Sequence, residues 1–309
     1  DEVENEIEAY IDNQCAGLKL ATGGDVGRVT CRTDGIKDYT DHLYESIDGD
    51  LSGLNICIDC ANGASAAAAR QLFPRLGANC TFLGIEPDGQ NINKGVGSTH
   101  LENLEKAVVE GGFDCGIAFD GDADRCLAVD ERGQVLNGDK IMYICAKHFK
   151  ERGQLPSNTL VTTVMSNFGL YKALDKAGIR YEKTAVGDRY VLEEMRDKGY
   201  VIGGEQSGHI ILLAHSTTGD GELTAGMLLR TMAEKKCRMS ELNDVYVRFP
   251  QVMVNIKATP EEKARYKEDE YIAGFIESQQ QSLMGLGRVL VRVSGTEPLI
   301  RIMVEGRDE

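Results

Sequence analysis

The stretch AFDGDADR, residues 118–125, sets Asp120, Asp122 and Asp124 at alternate positions and closes on Arg125, directly behind an apolar run that reads as a buried strand. Three carboxylates so close repel one another, and a bound cation relieves the repulsion. An i, i+2, i+4 spacing in a tight loop lets one oxygen from each side chain face a common centre, as hard divalent cations require. An EF-hand competes for this pattern, since Glu131 stands at the twelfth position counted from Asp120. Against it, Arg125 occupies the sixth position, where that loop needs glycine, and the flanks read as strands. A plain acidic surface turn is the other alternative, disfavoured by the strand ahead of it and the arginine behind. Mg²⁺ is favoured over Ca²⁺ because it commonly combines a few carboxylates with a phosphate oxygen, and Arg125 is placed to hold that phosphate.

Two further loops carry polar groups in useful combinations. In GGEQSGHIILL, residues 203–213, Glu205, Ser207 and His209 alternate through a glycine-flanked turn, so that one acceptor and two donor-capable groups can face one side. Such a set suits the paired hydroxyls of a sugar ring, although a polar turn ahead of a strand has the same look. In GRVLVRVSGTEPLIR, residues 287–301, Arg292, Ser294, Gly295 and Thr296 lie between two strands and Arg301 returns on the second. Guanidinium groups offer bidentate donors to a phosphate, and the hydroxyls and amides of an SGT turn add more. An ordinary hairpin would need no such pair of arginines in so acidic a chain.

The elements that must position these loops are legible as an alternation. LNICIDC, GASAAAARQLFPRLG, NCTFLG, THLENLEKAVVEGG and DCGIAFD read as strand, helix, strand, helix, strand, the βαβ order of a parallel sheet covered by helices. The order returns in IMYICAKHFKER, TLVTTV, NFGLYKALDKAG, YEKTA, GDRYVLEEMRDKG and YVIGGE, with no close sequence repeat between the two halves. The tail differs: VRFPQVMVNIKAT, a helix over EEKARYKEDEYIAGFIESQQQS, GRVLVRVS and LIRIMVEG give β-α-β-β, a small α+β domain. The expected organisation is α/β: an opening segment 1–35 with an acidic helix and a glycine-rich linker, two consecutive α/β domains over 36–137 and 138–242, and an α+β domain over 243–309.

Composition excludes several classes. With 309 residues, 42% hydrophobic and 27% charged, the chain has apolar material for several cores. Its net charge of -15, without a basic stripe, speaks against a nucleic-acid partner. No apolar run approaches the roughly 20 residues of a membrane helix, and the opening DEVENEIEAY has no signal-peptide pattern. A cytoplasmic protein is expected. Nine cysteines, an odd number, fit reduced thiols, and the CxxC formed by Cys57 and Cys60 lies inside a strand-like run with no second ligand pair.

Taken together, DGDADR, GEQSGH and RVSGTEPLIR resemble the metal, sugar-binding and phosphate-binding loops of the α-D-phosphohexomutase superfamily, in that family's order. GEQSGH, NINKGVGSTH at 91–100 and AVGDRYV at 185–191 are similar to the glucosamine-phosphate branch; glucose- or mannose-phosphate mutases are the alternative, and a non-catalytic sugar-phosphate binding protein is a second. The resemblance implies Mg²⁺ on Asp120, Asp122 and Asp124, Arg125 beside the transferred phosphoryl group, and Glu205, Ser207 and His209 at the sugar. It also implies Arg292, Ser294, Gly295, Thr296 and Arg301 on the second phosphate, with Asp188 and Arg189 near the reacting oxygen. The implied reaction passes a phosphoryl group from a phosphoserine to a hexosamine phosphate and back from the reoriented bisphosphate.

The serine motif of that family, similar to TASHNP, does not occur here, and Ser65 in ANGASAAAA lacks its His-Asn-Pro context. A chain holding the second, third and fourth domains is therefore expected, with the missing first domain as its partner, no turnover alone, and an uncovered apolar face that favours a homodimer.

Overall fold

The computed structural model describes residues 2–266, 268–294 and 297–307. The chain divides into two compact units, Asp1–Gly35 and Ile36–Glu309. In the first, α1 (Glu2–Asp12) has the expected acidic helix, with Val3, Ile7 and Ile11 all exposed and no residue buried.

Helix α2 (Gly35–Ile47) leads into the second unit, followed by β1 (Asn55–Asp59), α3 (Ser65–Arg75), β2 (Asn79–Leu83), α4 (Glu102–Gly111), β3 (Cys115–Phe119), β4 (Cys126–Asp130) and β5 (Val135–Leu136). The strands form a sheet in the order β2-β1-β3-β4-β5. β1 is parallel to β2 and β3, while β4 and β5 run antiparallel. Burial on both faces explains why β3 reads as an uninterrupted apolar run. Leu104 and Val108 of α4 close one face over Cys57, Ala118 and Val129.

The same plan recurs in α5 (Gly138–Glu151), β6 (Thr159–Thr163), α6 (Phe168–Ala177), β7 (Arg180–Thr184), α7 (Asp188–Lys198), β8 (Ile202–Gly204) and β9 (Ile210–Leu212). This sheet has the order β7-β6-β8-β9, with β9 antiparallel to β8. Val191 and Met195 of α7 cover its outer face on Val161 and Ile211. In both sheets the order is second, first, third, fourth, and the last of these four strands is reversed. The alternation seen in the sequence is thus present, but each sheet is mixed where a parallel one was expected.

Between the sheets lies α8 (Gly221–Lys235), buried continuously from Gly221 to Met232. It contacts α3, α5, β3, β4 and β9. Ile58 and Phe119 of the first sheet, Leu160 and Ile210 of the second, and Leu228 of α8 belong to one continuous apolar core. A helix apolar on most sides has to be enclosed in this way.

After α9 (Met239–Asn243) come β10 (Gln251–Lys257), α10 (Pro260–Arg265), α11 (Glu270–Ser282), β11 (Gly287–Val293) and β12 (Leu299–Gly306). They form an antiparallel sheet, β10-β12-β11. The single helix expected over this segment is two. Thr259 and Glu262 make a reciprocal cap for α10, and the Asp269 side chain accepts from the Tyr271 and Ile272 amides to start α11 afresh.

This sheet is fastened to the preceding domain by a buried pair. Arg288 donates to Glu305, and its other donors meet the Val164 and Ser166 carbonyls. Glu305, fully buried, also accepts from Asn167 Nδ2 at 3.0 Å and the Phe168 amide at 3.2 Å. Among the described residues, no helix is long and apolar enough to cross a membrane.

Candidate active site

Residues 120–125 form the hairpin tip between β3 and β4, whose last pair is Phe119 with Cys126. The Ala123 amide donates to the Asp120 carbonyl at 3.1 Å, and Ala123 itself has a left-handed φ of 63°. The tight turn brings one oxygen of each of Asp120, Asp122 and Asp124 within 4.8 Å of the others. Burial pushes the Asp120 carboxyl up to about 6; the Arg125 amide works against this, and the Asp124 and Asp122 charges add to it. Arg125 donates its backbone N–H to Asp120 Oδ1 at 3.0 Å, while its Nε stands 3.8 Å from both Asp120 and Asp124.

The residues fit a small hard cation. Their donors are all oxygens, their charges are mutually repulsive, and Asp124 Oδ1 is buried with no hydrogen-bond partner. A helix–loop–helix is excluded, because the flanking elements are β3 and β4.

The second loop occupies the equivalent place in the second sheet, the tip between β8 and β9. Glu205 Oε1 accepts from the Gly187 amide at 3.0 Å, Ser207 is exposed, and His209 is buried at 6% exposure. Of the three, His209 is the one whose side chain packs against the first loop. Its ring is turned inward, with Nδ1 3.0 Å from Asp124 Oδ2 and Nε2 accepting from the Gly219 amide at 3.2 Å.

The two tips lie against each other. The Cys126 amide donates to the Gly208 carbonyl at 3.1 Å, and the Gly221 amide to the Ala123 carbonyl at 2.9 Å. Gly208 has φ +98°, and a Cβ there would stand 2.4 Å from the Cys126 carbonyl oxygen, so this approach needs glycine.

Asp188 opens α7 with its carboxylate largely exposed, 3.8 Å from His209 Nε2. Arg189 is 82% exposed and bonds Glu193 on its own helix at 2.8 Å, so it is not gathered with the others. In the third loop, Arg292 and Arg301 face each other across β11 and β12. Burial, with the Arg301 charge beside it, lowers the Arg292 pKa. Arg301 pairs with Glu297, yet its Nε is buried without a hydrogen-bond partner. The Ser294 hydroxyl accepts from the Glu297 amide at 3.2 Å. Gly295 and Thr296 lie outside the described residues. Two guanidinium groups side by side, one with an unmet donor, suit an anion.

Three family models match in succession: phosphoglucomutase/phosphomannomutase alpha/beta/alpha domain II over 37–133, domain III over 137–249, and the C-terminal domain over 253–309. A phosphoglucosamine mutase of Clostridium tetani is 52% identical over all 309 residues, which span 69% of that protein. The chain belongs to the phosphoglucomutase/phosphomannomutase family. A second phosphoglucosamine mutase, from Halalkalibacterium halodurans, is 51% identical, and the chain spans 68% of it.

Solved structures share the fold. One from Burkholderia thailandensis has a TM-score of 0.78 at 20% identity, covering 100% of this chain and 66% of its own. An Aspergillus fumigatus N-acetylphosphoglucosamine mutase, in complex with GlcNAc-6P and magnesium, has a TM-score of 0.72 at 19% identity, covering 94% of this chain and 69% of its own.

Two parts of the site escaped sequence reasoning. Gly219 and Gly221 flank Asp220, the N-cap of α8, and meet His209 and the β3–β4 loop respectively. The GDG triplet before a helix was the available signal. Asp139 and Asn167 lie beneath the β8–β9 loop: Asp139 Oδ2 accepts from Gln206 Nε2 at 3.1 Å and from the Asn167 amide at 2.7 Å. No spacing in the sequence links them.

Proposed function

We propose that the chain carries the metal, sugar and phosphate loops of a phosphoglucosamine mutase, acting on glucosamine 6-phosphate and glucosamine 1-phosphate in the cytoplasm. Residues 36–137, 138–242 and 243–309 would supply one loop each. The observation that carries the reading is the aspartate trio, in which Asp120 is raised by burial and Asp124 Oδ1 lacks a partner.

On this reading Asp120, Asp122 and Asp124 hold Mg²⁺, which when bound offsets charge on the phosphoryl oxygens. Arg125 stands beside those oxygens, and Glu205 and Ser207 orient the sugar. Arg292, Ser294 and Arg301, with Gly295 and Thr296, grip the phosphate that is not being transferred. Asp188 and Arg189 are assigned to the vicinity of the reacting hydroxyl. A phosphoserine from outside these residues gives up its phosphoryl group: the serine O–P bond breaks, a sugar O–P bond forms, and the proton lost by the sugar hydroxyl is balanced by the one that the freed serine oxygen gains. The bisphosphate turns, and the other phosphoryl group returns to the serine.

Calorimetry with glucosamine 6-phosphate tests the clamp, and Arg292→Ala is expected to weaken binding at least about tenfold. Unchanged binding removes these arginines from the site. In an isomerisation assay the chain alone is expected to be silent and to gain activity with a polypeptide bearing the phosphoserine. Turnover by the chain alone would overturn the assignment of the nucleophile.

A further inference from the structure

We propose that Asp139 is a positioning residue for Glu205 and Ser207, and that Asn167 ties it to the C-terminal sheet, so that the order of the β8–β9 loop depends on that sheet being docked. The inference rests on the sugar reading of this loop given above, and adds residues that act on the sugar only through the loop.

The loop sits directly on the start of α5. The Gly138 amide donates to the Gln206 carbonyl at 3.0 Å, and a Cβ on residue 138 would stand 2.2 Å from the Glu205 carbonyl oxygen and 2.6 Å from the Gly208 nitrogen. Beside this backbone seat, Gln206 donates Nε2 to Asp139 Oδ2 at 3.1 Å. Gln206 stands between Glu205 and Ser207 in the chain, so its anchor sets where both neighbours stand.

The anchor continues inward. The Asn167 amide donates to the same oxygen, Asp139 Oδ2, at 2.7 Å, while Asp139 Oδ1 has no hydrogen-bond partner. Two donors thus share one acceptor atom, and a shift of either is felt by the other. Asn167 is gripped in turn from the C-terminal side. Its Nδ2 donates to Glu305 Oε1 and to the Phe249 carbonyl, both at 3.0 Å, and its Oδ1 accepts from the Phe249 amide at 3.0 Å.

Asp139, Asn167 and Glu305 are each fully buried, so solvent does not compete for these bonds. A junction that only held the C-terminal sheet would end at Asn167; here the chain of bonds goes on to the loop. Side chains that orient a site are themselves fixed by such supporting bonds, and small displacements of the support are felt in binding.

The test compares calorimetric binding of glucosamine 6-phosphate, which would span the loop and the arginine pair, with that of inorganic phosphate, which needs the arginines alone. Asp139→Leu is expected to weaken the sugar phosphate about tenfold or more and inorganic phosphate less than about twofold, and Asp139→Asn, which keeps the acceptor, to recover most of the loss. Asn167→Asp keeps the oxygen that caps α6 but sets a carboxylate against Glu305, and is expected to speed hydrogen exchange at the Gly138 amide, which bonds the loop, about tenfold. Unchanged sugar-phosphate binding in Asp139→Leu, or equal loss of both ligands, overturns the positioning role. An unchanged Gly138 amide in Asn167→Asp overturns the tie to the sheet. Where Asp139→Leu does not fold, Gln206→Met removes only the outermost donor and should show the same split between the two ligands; no split overturns the inference. Failure of the wild type to bind glucosamine 6-phosphate, with the Gly138 amide still loosened in Asn167→Asp, overturns the sugar reading and leaves the chain of bonds standing.

Discussion

At the scale of single residues, burial governs the chemistry. Asp139 is fully buried at the start of α5, and desolvation pushes its carboxyl up to about 6 from the ordinary 3.8, with the Glu305 charge contributing. A carboxyl raised in the native state binds its proton more tightly there than in the unfolded chain. Its contribution to stability therefore falls as pH rises through the interval between those two values, and the penalty is complete above the upper one. The shift corresponds to about 3 kcal/mol. Asp139→Asn keeps an acceptor for the Asn167 amide and removes the titration. The melting temperature of wild type relative to this variant should therefore drop as pH rises from 3.8 to about 6. A pH-independent difference would show that Asp139 does not titrate in this range. The metal trio was legible because the crowding of Asp120, Asp122 and Asp124 is itself a local electrostatic problem. Asp139 was not, because its burial and its partners, Asn167 and Gln206, come from residues far along the chain.

Among the elements, the two hairpin tips matter most. Each follows the third strand of its sheet, and each has its strand return antiparallel, because residues 120–125 and 205–209 are too few for a parallel crossover of a dozen or more. That reversal could have been read from the short spacing between Phe119 and Cys126; the helices and the parallel strands were read from their apolar patterns. Helix α8 was not, since a helix buried from Gly221 to Met232 shows no polar face and so no helical period. Two substitutions test how the elements are held. Gly208→Ala forces a side chain onto the Cys126 carbonyl at a left-handed φ, and should cost about 1–3 kcal/mol in thermal unfolding. A neutral outcome would mean that the tips are not in contact. Arg288→Met leaves Glu305 buried with its countercharge gone, at a cost of about 3–5 kcal/mol. Protease cleavage within residues 244–250 should then accelerate, and an unchanged digestion pattern would argue that Arg288 does not fasten the C-terminal sheet.

For the second unit as a whole, the distribution of burial separates a rigid block from a looser appendage. One continuous core runs through both α/β sheets and α8, so neither sheet can open without exposing part of the other. The C-terminal sheet has no comparable interior: β10 is exposed along nearly its whole length, and α10 and α11 bury none of their described residues. Its hold on the block depends on Arg288, Glu305 and the backbone of residues 164–168. Local opening free energies follow such differences in packing. Hydrogen exchange should therefore divide the unit into two tiers, with amides of β1, β3, β6 and α8 most protected and those of β10 and β12 exchanging about tenfold faster or more. On the function proposed above, arginines on the looser tier would shift to receive either phosphate of a turning bisphosphate, while the aspartate trio and the β8–β9 loop stay fixed to the block. If β12 proves as slow to exchange as β1, the sheet bearing Arg292 and Arg301 is part of the block, and the adaptable clamp has no structural basis.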